Sequence, residues 1–343
     1  MTLPWSIIII TIGIALLFDI INGFHDAANS IATVVSTRVL SPRVAVLWAA
    51  FFNFIAMFIF MPKVADTVSK IVRIEAGDPA YVYVVLTGLI GAIVWDLLTW
   101  WWGLPTSSSH ALIGGFAGAG IAHKGVSSIR WEKMIATLQF IPLAPLLGLV
   151  VGFGVMILIY WLFRKSRPSE VDTIFRKGQL VSAALYSLGH GGNDAQKTMG
   201  IIVALLVAAG IFDLNTSLSL LDPKTMWIIV SCQAAMAIGT AMGGWRIVKT
   251  MGMRLTKLKP VHGFCAETAG AVTIFLATHM GIPVSTTHTI AGAIVGVGST
   301  TSATKVKWSI AGRIVISWVV TIPFSALVAA GCFYLFKWLH GAF

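Results

Sequence analysis

Five of the thirteen acidic residues, Asp19, Asp26, Asp96, Asp194 and Glu267, lie inside otherwise apolar stretches. A charge at the centre of a membrane helix costs about 2.5–3.5 kcal/mol on insertion scales, so each marks a satisfied helix contact or a functional site. For Asp19 and Asp96 the two readings weigh equally. Asp26 and Asp194 stand apart because they recur in a repeated motif. "NGFHDAANS" (Asn22 to Ser30) aligns with "HGGNDAQKT" (His190 to Thr198), matching Gly23, Asp26 and Ala27 to Gly191, Asp194 and Ala195. Two such carboxylates brought together repel, and need a cation between them or a proton on one. Lys197 is the one basic residue well inside an apolar segment, three residues beyond Asp194 and so on the same helical face. Snorkelling to the interface is the bland reading. The functional one is a fixed positive charge that pairs with Asp194 and meets an anionic substrate. Its counterpart in the repeat is Asn29, which is neutral, so the two halves of the site are chemically unequal.

A second repeated pair supplies hydroxyls. "GLPTSSSHALIGGFAGAG" (Gly103 to Gly120) aligns without gaps with "GIPVSTTHTIAGAIVGVG" (Gly281 to Gly298). Proline resists helix interiors and suits the first turn, so each stretch reads as a broken span followed by a new helix. The first N–H groups of a helix lack partners and carry partial positive charge. With Ser107, Ser108, Ser109, Ser285, Thr286 and Thr287 as donors, two opposed N-termini would cradle a tetrahedral oxyanion. N-capping and helix packing are the plainer uses of these hydroxyls. His110 and His288 repeat as well; bonding to a neighbouring carbonyl is the favoured reading. His25 and His190 flank the acidic motifs. Asn53 and Gln233 read as interhelical glue.

The elements that position these residues follow from composition. Of 343 residues, 57% are hydrophobic and 11% charged, where a soluble domain carries about a quarter charged residues. Lipid must solvate much of this chain, which reads as an all-α polytopic membrane protein. The net charge of +11 does not point to nucleic acid, because Lys and Arg cluster in short segments between apolar runs. Cys232, Cys265 and Cys332 lie in apolar segments without a paired spacing, so they read as packing residues. No basic n-region or cleavage site marks a signal peptide, so the first apolar run reads as a retained span.

Ten apolar segments fall at about 5–24, 43–61, 81–102, 104–122, 134–163, 179–212, 225–243, 261–280, 282–299 and 308–338. Segments 164–178 and 245–260 are rich in Lys and Arg and read as cytoplasmic, which places both termini outside. The basic residues Lys124, Arg130 and Lys133 fall on a loop that this order makes external. Five crossings per half is odd, so the halves 1–163 and 179–343, joined by a linker at 164–178, should be an inverted-topology repeat.

With these motifs in hand, the chain resembles the inorganic phosphate transporter (PiT) family, in its bacterial low-affinity branch. "NGFHDAANSIATVV", "GHGGNDAQKTMG", "LPTSSSHALIG", "GFCAETAGA" and "IPVSTTHTIAG" carry the resemblance over nearly the whole length. It implies re-entrant helical hairpins, a homodimer in a cell (inner) membrane, and cation- or proton-coupled phosphate uptake. By matching motif it puts Asp26, Asn29, Asn193 and Asp194 at the substrate and cation site. The hydroxyls of Ser107 to Ser109 and Ser285 to Thr287 fall on phosphate, and Glu267 on coupling. Lys197 departs from the sodium-driven pattern, which has Asn there. The branch it resembles is similar in character to proton-coupled carriers of neutral metal–phosphate. The expectation is therefore that Lys197 stands in for sodium, with Asp26, Asp194 or Glu267 carrying a proton. A sodium symporter, a sulfate carrier and an anion channel are the alternatives. A membrane enzyme is disfavoured, because adjacent Ser109 and His110 diverge on a helix.

Overall fold

The computed structural model describes residues 5–73 and 78–340. They form α1 (Trp5–Ser36), α2 (Pro42–Ile55), α3 (Lys63–Ser69), α4 (Pro79–Trp102), α5 (Ser108–Lys124) and α6 (Trp131–Leu162). Then follow α7 (Pro168–Ala208), α8 (Pro223–Met242), α9 (Trp245–Lys249), α10 (Pro260–His279), α11 (Thr286–Ser299) and α12 (Trp308–His340). A π-helical turn, Thr250–Arg254, continues α9. Among the described residues the only β feature is an isolated bridge between Val72 and Ile129. The fold is that of an all-α polytopic membrane protein.

All ten apolar segments are helical, but they are not equal. Among the described residues six helices, α1, α4, α6, α8, α10 and α12, are long and apolar enough to cross a membrane alone; Pro42–Phe58 with Lys63–Ser69, bent by 85°, forms a broken span or a re-entrant loop. α5 and α11 have 17 and 14 residues, about 25 and 21 Å, because an extended Pro-led stretch precedes each. α7 has 41 residues but carries His190, Asp194 and Lys197 at its middle, which lowers its apolarity. It also absorbs most of the segment read as a linker: helix resumes at Pro168, leaving 163–167 as the connection.

The loops gather into two groups. In one, Arg176 donates to the Arg38 carbonyl (3.1 Å), the Lys307 amide to Leu255 (3.0 Å), and Arg246 to the Trp101 carbonyl (2.6 Å). In the other, the Arg73 amide bonds Ser128 (2.7 Å), Lys124 pairs with Asp78 (2.9 Å), and Thr67 donates to the Gly281 carbonyl (2.7 Å).

The two halves of the sequence interlock. α5 packs on α4 and on α12, while α11 packs on α10 and on α6. The repeated glycines make these approaches possible. A Cβ at Gly114 or Gly118 would collide with the carbonyls of Ile322 and Ala326 in α12. One at Gly292 or Gly296 would collide with those of Pro145 and Leu149 in α6. The final helix of each half thus covers the Pro-led helix of the other. Likewise α1 lies on α8, and α7 on α2 and α3.

Candidate functional site

The acidic motifs occupy the middles of α1 and α7, and both face the first turns of α5 and α11. Asp26, His190 and Asp194 each offer an atom within 4.8 Å of the others, all buried. The expected pairing of the two aspartates therefore exists. Asp194 Oδ1 accepts from Lys197 Nζ at 2.5 Å, and Oδ2 accepts from Thr286 at 3.0 Å with His190 Nε2 at 3.3 Å. Asp26 lies against His25 Nδ1 at 2.7 Å and accepts from Thr287 at 3.4 Å.

Lys197 does not snorkel. It is 1% exposed, and its ammonium donates to Asp194, Ser109 Oγ and the Val284 carbonyl (2.7 Å). Three oxygens around the ammonium match its three N–H donors. Val284 lies in the extended stretch just before α11, where the broken helix leaves a carbonyl free. Asn29 makes the matching contacts in the other half, donating to Thr287 (2.9 Å) and Thr286 (3.3 Å).

The broken stretches are pinned by the residues before the aspartates. His25 Nε2 meets Thr99 (3.0 Å) and Thr106 (3.3 Å), which bond each other at 2.9 Å. That folds residues 103–107 back into the bundle, so α5 begins inside it. Asn193 does the same opposite, donating to Thr278 (2.9 Å) and the Ile282 carbonyl (3.3 Å). The amide of Asn193, a residue expected at the substrate, anchors the hairpin, and its Oδ1 is buried with no partner among the described residues.

The hydroxyls divide by role. Ser107 and Ser285 are N-caps, accepting from the amides of His110 and His288 at 3.2 Å each. Ser109, Thr286 and Thr287 join the polar network above. Ser108 Oγ is buried without a partner among the described residues. The two first turns face each other, with the His110 and His288 rings 4.7 Å apart. His288 Nδ1 lies 3.4 Å from the Ile141 carbonyl, which Pro145, having no N–H, leaves free four residues on. It also stacks on Trp318 at 3.9 Å. The carbonyl expectation thus holds for His288; neither nitrogen of His110 has a partner among the described residues.

Glu267 is in a cluster of its own. It accepts from Thr33 (2.5 Å), Gln179 (2.9 Å) and Ser182 (2.5 Å). No local pattern signals these three donors, which are common polar residues of α1 and α7. Tyr186, which donates to the Thr286 carbonyl at 3.0 Å, was equally silent. Asn53 and Gln233 are the glue expected of them: Asn53 donates to Thr240 (2.8 Å), and its carbonyl accepts from Gln233.

A buried carboxylate–ammonium centre between two helix N-termini can bind a small oxyanion and respond to its charge. Residues 22–329 match the model of the phosphate transporter family. The chain belongs to that family. It is a multi-pass membrane transporter and not an enzyme. It is 51% identical over 335 residues, 97% of each chain, to a probable low-affinity inorganic phosphate transporter of Rhizobium meliloti. It is 42% identical to a protein of the same description from Bacillus subtilis, over 94% of each. A solved structure, described as the sodium-dependent phosphate transporter, superposes with a TM-score of 0.88 at 24% identity, over 97% of this chain and 99% of that one. The transporter therefore shares its fold.

Proposed function

We propose that this transporter takes up inorganic phosphate by secondary active transport driven by protons, with the Lys197 ammonium in the position of a coupling cation. The observation that carries this reading is the oxygen shell of Lys197, made by Asp194, Ser109 and Val284. An ammonium seated there leaves no need for a metal cation between the two motif aspartates. Phosphate would lie between the first turns of α5 and α11. Backbone N–H groups there are unpaired within their helices, and Ser108, Ser109, Thr286 and Thr287 offer hydroxyls. Asp26 or Asp194 would accept a hydrogen bond from the proton that phosphate, unlike sulfate, retains at neutral pH. The matched cross-half contacts support an inverted repeat, and the Lys- and Arg-rich segments 164–178 and 245–260 favour both termini outside. In a bacterial inner membrane, the low-affinity carriers that resemble it are the apt comparison.

Purified protein in liposomes, given separate pH and sodium gradients, tests the reading. Phosphate should accumulate with the pH gradient alone, resist competition by sulfate, and be indifferent to sodium. Lys197→Asn should lose at least tenfold of the pH-driven uptake. Uptake that needs sodium and ignores pH would overturn proton coupling. Passive equilibration without accumulation would make the protein a channel.

A further inference from the structure

The proton-driven reading requires a carboxyl that gains and loses a proton, and the sequence offered Asp26, Asp194 and Glu267. All three are held as acceptors. Asp194 takes Lys197 and Thr286, Asp26 lies against His25 and Thr287, and Glu267 takes Thr33, Gln179 and Ser182. Donors on both oxygens favour the charged carboxylate and oppose its protonation. Two other carboxyls are as deeply placed and have no such support. Asp19 and Asp96 are both 0% exposed, and neither oxygen of either has a hydrogen-bond partner among the described residues. An uncompensated buried charge is costly enough that such a group ordinarily neutralises by taking a proton.

Of the two, Asp19 adjoins the ion pair. It sits in α1 with Asn22 one turn on, and faces Thr198 of α7, close enough to Asp194 and Lys197 for their charges to act on it. Asn22 Oδ1 and Thr198 Oγ1 are themselves buried without partners among the described residues, so the polar atoms beside Asp19 leave four oxygens short of a well-formed hydrogen bond. α8 brings the Cys232 thiol beside it. Asp96 of α4 lies instead beside His25 and Asp26. A bare metal ion suits this pocket poorly, since the Lys197 ammonium is close by and a hard cation seeks six or more oxygens. One proton on a carboxyl oxygen suits it, removing the buried charge and adding a donor for the Asn22 Oδ1 acceptor.

We infer that Asp19 is the carboxyl that carries the transported proton, and that it senses phosphate through Lys197 and Asp194. This inference rests on the proton-driven reading above. A phosphate at Ser109 draws the Lys197 ammonium and adds negative charge beside Asp19, which strengthens proton binding there. By linkage, a proton on Asp19 strengthens phosphate binding by the same factor. The two are therefore loaded together on one face. They leave together on the other, where Asp19 returns to the carboxylate as the proton departs.

Liposomes carrying the intact protein and an internal pH-sensitive dye decide it. For Asp19→Asn, accumulation driven by a pH gradient should fall at least tenfold, phosphate-induced internal acidification should vanish, and exchange of labelled phosphate at equal concentrations should fall less than threefold. Exchange should also lose its dependence on pH. Asp96→Asn should keep acidification within threefold of wild type. Asp19→Glu should restore accumulation with a shifted pH midpoint, and decides the matter should the Asn variant not fold. Acidification that survives in Asp19→Asn, or an unshifted midpoint in Asp19→Glu, overturns this assignment while leaving proton coupling standing. Loss of acidification in Asp96→Asn alone moves the role to Asp96 and overturns it as well. A wild-type protein that does not acidify at all fails the underlying reading instead.

Discussion

The α1–α5 pair and the α7–α11 pair make the same contacts with different chemistry. Position 29 and its repeat position 197 both reach the opposed first turn: Asn29 bonds Thr287, and Lys197 bonds Ser109, which aligns with Thr287. The preceding positions, His25 and Asn193, both pin a broken stretch. Gly114 and Gly292 both admit a helix from the other half. What differs is charge. One half carries an ammonium where the other has an amide, and an imidazole where the other has an amide. The matched contacts make a symmetric frame; transport needs a vector, and the unequal polar residues break the symmetry at the centre without disturbing the packing around it.

The sharpest way to break this comparison is at its unequal pair. Lys197→Met strands the Asp194 carboxylate in a buried site, a loss of about 3–5 kcal/mol for a broken buried pair. Asn29→Ala removes neutral hydrogen bonds worth about 1 kcal/mol each. In detergent melting curves the Lys197 variant should drop far more than the Asn29 variant, and its phosphate uptake should fall more than a hundredfold. Equal losses would mean that the charge difference is incidental. The frame should answer the other way. Gly292→Val and Gly114→Val each push a side chain into a neighbouring backbone, which costs about 1–3 kcal/mol or more. Because the contacts match, the two should lose similar amounts of folded protein, as judged by the monodisperse peak on size exclusion. A tolerant Gly114 beside an intolerant Gly292 would show the frame to be asymmetric too.

Much of this was legible in the sequence because it rests on periodic or repeated features. Apolar length gave the helices, proline gave the breaks at 105 and 283, and repetition brought Asp26 to Asp194 and hydroxyls to both. What escaped was set by contacts between distant helices. Nothing local distinguishes Ser107, a cap, from Ser108, a free hydroxyl, since that depends on one turn of φ and ψ. The hairpin contacts of Asn193 could not be read from its motif; its neighbours Thr278 and Ile282 decide the orientation of its amide. Gln179, Ser182 and Thr33 meet at Glu267 only because α1, α7 and α10 pack together. The exchange of α6 and α12 between halves is likewise a property of packing, encoded in glycines whose spacing is common to many membrane helices.

The halves also differ where only structure is at stake, and there the effect should be small. α4 begins at Asp78, which accepts from the Ala80 amide at 3.1 Å as N-cap. It also meets Lys124 at 2.9 Å and His123 at 3.1 Å, from the end of α5. Its counterpart α10 begins at Lys259, whose amide donates to His262 (3.1 Å). Partial burial of Asp78 works against its charge, but Lys124 and His123 outweigh it and hold the carboxyl below the usual range. A carboxyl held low contributes stability that is present above its unfolded value, about 3.9, and that drains away as pH falls through the folded one. Asp78→Asn keeps a good cap and removes only the charge. It should therefore cost under about 1 kcal/mol near neutral pH, as partly exposed pairs do, seen as a drop of a few degrees or less in melting temperature. The gap between wild type and variant should close as the pH is lowered below the carboxylate range. A gap that persists in acid would assign the role of Asp78 to the geometry of the cap and not to the ion pair that ties α4 to α5.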